Sequence, residues 1–215
     1  MKTLNTLIAL LFIVFCNNSH SKAFCALRDP VAQIHQLYPK ADGFRSLVRT
    51  ITDATRQQVM QRIPNQELHL DELGKHTLYI AMHQNRPIGI VHVRSEQSRW
   101  GLIEIAWAIN LDLTIHDYSL QRSRSANNQF VLKQQFKDLI IGKDFTTLSK
   151  YLDENGQIGA SPFKQQTQQN TELAHVVLIN GLKTLLVTEI AWATELTELT
   201  ISQAKLDPTQ QTLTR

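Results

Sequence analysis

The chain has 215 residues, of which 42% are hydrophobic, and a formal net charge of +3 at pH 7. This length and apolar content suffice for one hydrophobic core of ordinary size. So small a net charge argues against nucleic acid or an anionic membrane surface as a partner, because no strong field would attract either.

The start of the chain predicts a signal peptide over residues 1–23. Lys2 gives a positively charged start, and residues 7–15 (LIALLFIVF) form an apolar run too short to cross a bilayer comfortably. Ser21 and Ala23 place small residues at the two positions that a signal peptidase recognises. We therefore expect an exported chain, periplasmic or secreted, that begins after Ala23. An uncleaved N-terminal membrane anchor is the alternative.

Loss of this segment would lower the net charge from +3 to +1, because it contains two lysines and no acid. It would also remove Cys16, one of two cysteines, so that Cys25 stays as a single thiol and no internal disulfide forms. A lipid anchor at Cys16 is disfavoured because the bulky Phe15 stands where a small residue would be expected.

A short helix and a strand are predicted next. Asp29 and Pro30 suit the cap and first turn of an amphipathic helix that ends before Pro39. Residues 44–51 are rich enough in β-branched and aromatic side chains for a short strand.

A second helix should follow this strand and stop at Pro64. Thr52 or Asp53 would cap it. Its inner side would carry Val59, Met60 and Ile63. Residues 65–75 then predict a surface connection.

Residues 76–121 contain four runs rich in β-branched and aromatic side chains, separated by short polar breaks. This spacing predicts a four-stranded antiparallel meander. One face is apolar enough to need a cover, and only the flanking helices can supply it. The residues expected to share a face are Ile88, Ile90, His92 and Arg94 on one strand, and Ile103, Ile105, Trp107 and Ile109 on the next.

Three segments are predicted after the meander. Residues 127–140 have the apolar period of a helix closed by Gly142, and residues 145–152 form a further short helix. Residues 156–170, rich in Gln with Gly, Ser and Pro, predict the longest flexible loop.

The last large element is an apolar helix over residues 171–194, with a narrow polar stripe of Asn180, Lys183, Thr184 and Thr188. Such a helix suits burial against a sheet, with Leu182 facing Trp107. A membrane span is the rival interpretation, but Lys183 at its middle would cost roughly 2.5–3.5 kcal/mol. We therefore expect no transmembrane helix in the mature chain and a disordered tail at residues 203–215.

These elements predict an α+β fold, in which an antiparallel meander is covered by helices and the long C-terminal helix is buried. The eight histidines lack the spacing of a zinc helix, and the chain has neither a Gly-x-Ser-x-Gly motif nor a phosphate-binding Gly-rich loop. Neither a metal site nor a hydrolase is therefore predicted, and the sequence leaves open whether the protein is an enzyme.

Four arginines cluster at the ends of neighbouring predicted strands, beside Trp100. Guanidinium groups with an aromatic ring suit an anionic ring ligand such as a nucleotide. Exposed arginines at strand ends are more often solubilising charge. The four are Arg94, Arg99, Arg122 and Arg124.

The order of parts resembles the FMN-binding domain found in peripheral flavoprotein subunits of sodium-pumping NADH:quinone oxidoreductase and of related electron-transport complexes. The resemblance covers roughly residues 75–192. It is carried by RPIGIV at 86–91, by IEIAWAINLDLTIHDYSLQ at 103–121 and by the final long helix. Its most telling piece is Gln135-Phe136 followed by Gly142-Lys143-Asp144.

Two departures bear on the cofactor that the resemblance implies. Family members attach FMN to the Thr of a Ser-Gly-Ala-Thr motif, where this chain has Gln168-Gln169-Asn170-Thr171. Where the family has an acidic Glu-Thr-Pro-Gly turn, this chain has Arg122-Ser123-Arg124-Ser125. A non-covalent flavin is thus expected, because only the Thr hydroxyl of the attachment motif is kept.

The resemblance therefore implies an exported FMN-binding-like domain over residues 24–202, of electron-transfer type, with a membrane-associated redox partner. FMN would lie between the strand end at Arg122 and Arg124 and the start of the last helix at Thr171, with Trp100 and Arg94 as further contacts. A cofactor-free accessory protein that keeps the fold is the alternative. Haem ligation by a strand histidine is a third hypothesis.

Overall fold

The computed structural model describes residues 29–159 and 162–206. The predicted signal peptide and Cys25 lie outside the described residues, as does the end of the predicted tail from residue 207.

Within these residues the chain forms five strands and eight α-helices. They are α1 Val31–Leu37, β1 Gly43–Ile51, α2 Asp53–Arg62, β2 Gly74–His83, β3 Arg86–Ser98, β4 Gly101–Ile109, β5 Ile115–Arg122, α3 Asn128–Leu132, α4 Gln134–Lys137, α5 Phe145–Ser149, α6 Phe163–Thr167, α7 Thr171–Ala191 and α8 Ala193–Leu206. Two 3₁₀ turns, Leu70–Glu72 and Gln168–Asn170, precede β2 and α7.

The strands form one antiparallel sheet in the order β1-β2-β3-β4-β5, so each strand pairs with its neighbour along the chain. The predicted meander and the α+β class are confirmed, and β1 extends the meander by a fifth strand.

Helix α7 covers one face of this sheet, where it lies against β3 and against Trp107 of β4. Trp107 and Leu182 are both fully buried, as the sequence predicts. The helix residues that meet the indole are Asn180, whose Oδ1 accepts from Trp107 Nε1 at 2.6 Å, and Gly181. A Cβ added at Gly181 would lie 2.9 Å from Trp107 Cη2. Gly181 therefore sets how closely the helix approaches the sheet.

The other face of the sheet is covered by α1, which forms a second apolar cluster with strand residues such as Val91 and Ala106. Tyr38 lies beneath it and donates its hydroxyl to the Ile109 carbonyl at 2.9 Å. The Tyr38 ring occupies the space beside Gly89, where an added Cβ would lie 2.2 Å from the hydroxyl oxygen. Both faces of the central strands are thus buried, although the sequence predicts one apolar face.

Two details of this face correct the sequence analysis. Ile88 packs against the second cluster, whereas Ile90 packs under α7, because a register shift opposite Ala81 changes the alternation. Asp29 does not cap α1; its carboxylate accepts the hydroxyl of Tyr79 at 2.7 Å.

The prediction of α2 is confirmed with Thr52 as its cap, since Thr52 Oγ1 accepts from the Thr55 amide. Val59 and Ile63 are buried, but Met60 is 40% exposed. Met60 therefore points away from the core side that the sequence assigns to it.

The segment from Asn127 to Gly142 is not the single helix that the sequence predicts. Lys133 is extended at ψ 144° and separates α3 from α4. The break allows both Val131 and Phe136 to reach the core. A continuous helix that placed both side chains inward would also turn polar residues between them toward the core.

The predicted loop over residues 156–170 contains α6 and a 3₁₀ turn. Phe163 is fully buried, with ring centroids 5.7 Å from Phe136 and 4.8 Å from Tyr151. One large apolar side chain thus orders a stretch whose composition is otherwise polar. Past α7, helix α8 continues to Leu206, beyond the predicted end of the ordered domain at residue 202.

Among the described residues, α7 is the one helix long and apolar enough to cross a membrane, and 83% of its most apolar window is buried within the protein. The core helices of soluble proteins have the same length and composition, and the polar stripe of α7 faces inward rather than outward.

Replacing Gly181 with Ala tests the approach of α7 to the sheet. Ala is favoured over Gly in a helix by about 1 kcal/mol, but the new methyl group would push against a buried indole. We expect a net loss of about 1–3 kcal/mol in the free energy of unfolding, measured by chemical denaturation. Gly43→Ala is the control, since a Cβ there meets nothing within 4 Å. An unchanged or higher stability for Gly181→Ala would contradict this packing.

Candidate functional site

The polar stripe of α7 is fully internal and faces polar side chains of β3. We call this contact the buried polar seam; its members are His92, Arg94 and Glu96 of β3, Asn180, Lys183 and Thr188 of α7, and Glu72 from the turn before β2. Each of these seven residues is buried. A buried charge is tolerated only where it is paired and hydrogen-bonded, so the seam must satisfy its own charges.

Two ion pairs stand at the centre of the seam. Arg94 Nη2 donates to Glu72 Oε2 at 2.5 Å, and Lys183 Nζ donates to Glu96 Oε1 at 3.0 Å. Lys183 Nζ also lies 3.6 Å from Glu72 Oε1, so its ammonium group bridges the two carboxylates. The backbone amide of His69 donates to Glu72 Oε1 at 2.9 Å.

The sequence analysis identifies neither of the two buried carboxylates of the seam, Glu96 and Glu72. Glu72 is the less expected of the two. It lies within residues 65–75, which predict a surface connection, yet its exposure is 0%. Lys183 was the available signal, because a lysine in a fully apolar helix requires an acidic partner elsewhere. Nothing in the local sequence shows that the partners are Glu96 and Glu72.

Burial raises the pKa of the Glu96 carboxyl, and Lys183 opposes this effect. Burial, together with the nearby Arg94 charge, lowers the pKa of His76 from 6.5 to about 4. The same causes lower the pKa of His92 well below its ordinary value. Both histidines are therefore neutral at pH 7.

The hydrogen bonds of these histidines connect the seam to its surroundings. His76 Nε2 donates to the Glu72 carbonyl at 2.9 Å, since a carbonyl can only accept. His92 Nδ1 is 2.8 Å from Thr188 Oγ1, and the His92 ring lies 5.2 Å from the Trp192 ring. The hypothesis of haem ligation concerns the strand histidines, and these two strand histidines are both held inside the core.

Acid should destabilise the protein through His76. Because folding lowers the pKa of His76, the unfolded chain binds the proton more tightly than the folded protein does. The contribution of the neutral His76 to the free energy of unfolding is therefore fully present above pH 6.5 and is lost as the pH falls to about 4. The shift corresponds to about 3 kcal/mol. The raised pKa of Glu96 acts in the opposite sense, because its contribution is lost as the pH rises.

His76→Gln isolates the histidine contribution, because Gln keeps an N–H donor and does not titrate. We expect the difference in unfolding free energy between the native protein and this variant to shrink as the pH falls from 7 to 4. Denaturation at a series of pH values measures it, with the exposed His35→Gln as control. A constant difference across the range would show that His76 does not titrate as its burial requires.

One of the five predicted ligand residues belongs to the seam. Arg94 is 1% exposed and paired with Glu72, so its guanidinium group serves the core. It does not lie with the other four at the protein surface.

The remaining four lie toward one end of the molecule. Arg122 ends β5 opposite Glu104 of β4, a few residues from Trp100, which lies in the turn between β3 and β4. Arg99 of that turn stacks over Trp100 at 4.5 Å and pairs with Glu172 at 3.1 Å, which brings the turn beside the first residues of α7. Arg122 and Arg124 are exposed.

Thr171 lacks the geometry of an attachment site. Its hydroxyl donates to the carbonyls of Thr167 and Gln168 at 3.0 and 3.2 Å. The helical turn Gln168–Asn170 runs directly into α7. A phosphate ester of FMN at Thr171 does not fit this arrangement.

A pocket of about 220 Å³ lies between α3, α4 and α6. Its lining combines two aromatic rings with one cation and two amides: Phe130, Phe136, Lys133, Gln135 and Gln166. Such a lining suits a planar ring that carries a negative group.

Both segments named from the sequence connect to the walls of this pocket. The turn that holds Arg124 is tied to the start of α3 by a hydrogen bond of 2.6 Å between Ser123 Oγ and Asn128 Oδ1. Thr171 is tied to the end of α6 through the Thr167 carbonyl. The residues that line the pocket lie a few positions away from each of these ties.

A second pocket of about 410 Å³ lies between the β4–β5 turn and α8. Leu111, Leu113, Leu196 and Ile201 make it apolar, and its charged lining residues, Asp112 and Glu189, are both acidic. An anionic ligand is therefore better suited to the smaller pocket.

His69, Glu72 and Glu96 bring three ligand atoms within 4.8 Å of one another, which is the spacing of a metal site. Arg94 and Lys183 already neutralise these carboxylates. A metal ion would have to displace the Lys183 ammonium group, so the cluster is better described as a cation site occupied by a side chain.

Neither a protein-family model nor a curated protein matches this chain.

Proposed function

We propose that the protein is an exported electron-transfer or redox accessory protein that binds FMN, or a closely similar phosphorylated aromatic cofactor, without a covalent bond. The observation that carries the proposal is the pocket lined by Phe130, Phe136 and Lys133, tied to the Arg124 turn on one side and to the Thr171 turn on the other. The resemblance to the FMN-binding domain named these same two segments.

Different residues of the chain would bind the ring system and the phosphate of the cofactor. Phe130 is partly buried and offers apolar surface to a ring system, and the buried Phe136 supports it with a ring centroid 5.4 Å away. Lys133 offers a point charge for a phosphate, and the exposed Arg124 could supply a guanidinium fork to the same group. The flavin would supply the redox chemistry, and the protein its binding and orientation.

Dissociable binding follows from the fit at Thr171, whose hydroxyl is used by the helix itself. Dependence on salt also follows, because Arg122 and Arg124 are exposed and their attraction for a phosphate is screened by ions. A membrane-associated redox partner belongs to the same proposal and rests on the family resemblance.

A cofactor-free accessory protein is the second candidate, and the size of the pocket favours it. About 220 Å³ is smaller than the roughly 300–1,000 Å³ of most small-molecule sites. A flavin bound there would leave part of its ring in solvent. In this alternative the protein has the same fold without a cofactor, and the exposed arginines Arg122 and Arg124 contribute to its solubility.

Titration with FMN decides between the two candidates. Purified exported protein should quench or shift flavin fluorescence saturably at micromolar concentration, and denaturation should release all flavin into the filtrate. Lys133→Glu should weaken binding by roughly ten- to a hundred-fold, the loss expected for one charge-assisted hydrogen bond of about 1.5–3 kcal/mol.

Lys164→Glu is the matched control, because it makes the same charge change on α6 at an exposed position outside the pocket lining. The affinity of this variant for FMN should stay within about two-fold of the native value, as expected for an exposed, screened charge that does not line the pocket. Absence of saturable binding, or equal losses in both variants, would contradict the flavin site and leave the accessory function.

A further inference from the structure

Strand β1 is an open edge of the sheet. It pairs with β2 along its whole length without a bulge, from Gly43 opposite Met82 to Ile51 opposite Gly74. Among the described residues no strand pairs with its outer side. Alternate backbone N–H and C=O groups of β1 therefore point outward, where they can pair with another extended chain.

The opposite edge of the sheet is protected. Strand β5 is interrupted by two register shifts against β4. Its first residue, Ile115, also exchanges backbone hydrogen bonds with Lys143 and Gly142 at 2.9 and 2.8 Å, so a following segment covers that end. Bulges and coverage of this kind are the usual means of blocking a sheet edge. Strand β1 has no register shift, and within residues 29–159 and 162–206 no strand pairs with its outer side.

Strand β1 also exposes apolar side chains. Phe44 is 36% and Val48 49% exposed, and the alternation of the strand places both on the face that carries Tyr79. Helix α1 covers this face over β4 and β5 rather than over β1. An edge strand with unpaired backbone and exposed apolar residues is a pairing surface.

We propose that β1 pairs with β1 of a second copy of this chain, antiparallel and centred on Ser46, so that two five-stranded sheets become one of ten strands. In this register Phe44 lies opposite Val48 of the second copy, and Val48 opposite its Phe44. Arg45 then lies opposite Leu47.

Neighbouring registers are less favourable. Centring the pair on Leu47 would place Arg45 opposite Arg49, and like charges directly opposite destabilise a sheet. Centring it on Val48 would leave Phe44 outside the strand pair. The remaining cation, Arg49, is already paired with Glu195 of α8. The proposal is independent of the flavin, since β1 contributes no residue to the pocket.

Disulfide cross-linking tests the register. Ser46→Cys, in a chain whose Cys16 and Cys25 are both replaced by Ser, should form a covalent dimer on mild oxidation, because directly opposite residues have Cβ atoms about 4.5–5.5 Å apart. Thr50→Cys in the same background is the control. Its copies would be separated by eight residues, about 27 Å at the rise of a strand.

Light scattering at roughly 100 µM protein tests the dimer itself, a concentration well above the dissociation constants of stable interfaces. The native chain should have twice the mass of one chain, and Val48→Lys should reduce it to a single chain. Met60→Lys, which places the same charge at another exposed apolar residue, should leave the mass unchanged.

A monomeric native chain would overturn the proposal. That is the result expected if another part of the same chain covers the edge. A dimer that survives Val48→Lys, or that Met60→Lys also dissociates, would show that another surface forms it. Equal cross-linking of Ser46→Cys and Thr50→Cys would overturn the register.

Discussion

The ammonium group of Lys183 lies inside the protein between two carboxylates, and the placement of α7 depends on it. Lys183 is 2% exposed, 3.0 Å from Glu96 and 3.6 Å from Glu72. Removing such a charge from water costs several kcal/mol, which only close partners in a fixed geometry offset. The lysine therefore has one acceptable position along β3, and a helix that is apolar on nearly every side gains a defined register.

Two further polar contacts of α7, one on each side of Lys183 along the helix, add to this constraint. Asn180 receives the indole N–H of Trp107, and Thr188 meets His92. Between them Gly181 allows the backbone to lie against Trp107. Apolar packing supplies most of the stability of such an interface, whereas these directional contacts select one of several similar ways to place the helix.

The same seam accounts for the inward polar stripe of α7. A helix of this length and hydrophobicity would suit a membrane as well, if its polar residues had no partners. Because β3, β4 and the turn before β2 provide partners for Asn180, Lys183 and Thr188, these polar side chains are bonded within the fold.

The elements predicted correctly are those whose signals are local. Alternating apolar residues identify β3 and β4, Thr52 marks the start of α2, and uninterrupted apolar character identifies α7. The failures involve partners that are distant in the sequence. Ordering of the Gln-rich stretch through Phe163 depends on the rings of Phe136 and Tyr151.

The candidate site shows the same division between local and distant information. Sequence patterns group Arg94 with the exposed strand-end arginines, but Glu72 holds it inside the core. The pocket beside α3 and α6 arises from the break at Lys133 and the order of residues 163–170, and the sequence predicts neither. Of its neighbours, Arg124 was named from the cluster of strand-end arginines, and Thr171 only through the resemblance to a family.

A double-mutant cycle at Lys183 and Glu96 tests the central claim most directly. Lys183→Met alone should lower the free energy of unfolding by roughly 3–5 kcal/mol, because it leaves a carboxylate buried without its cation. Adding Glu96→Gln should recover part of this loss, giving a coupling energy of about 1–3 kcal/mol. Losses that add to within about 0.5 kcal/mol would contradict the account, since two residues that act independently cannot fix the register of α7 against the sheet.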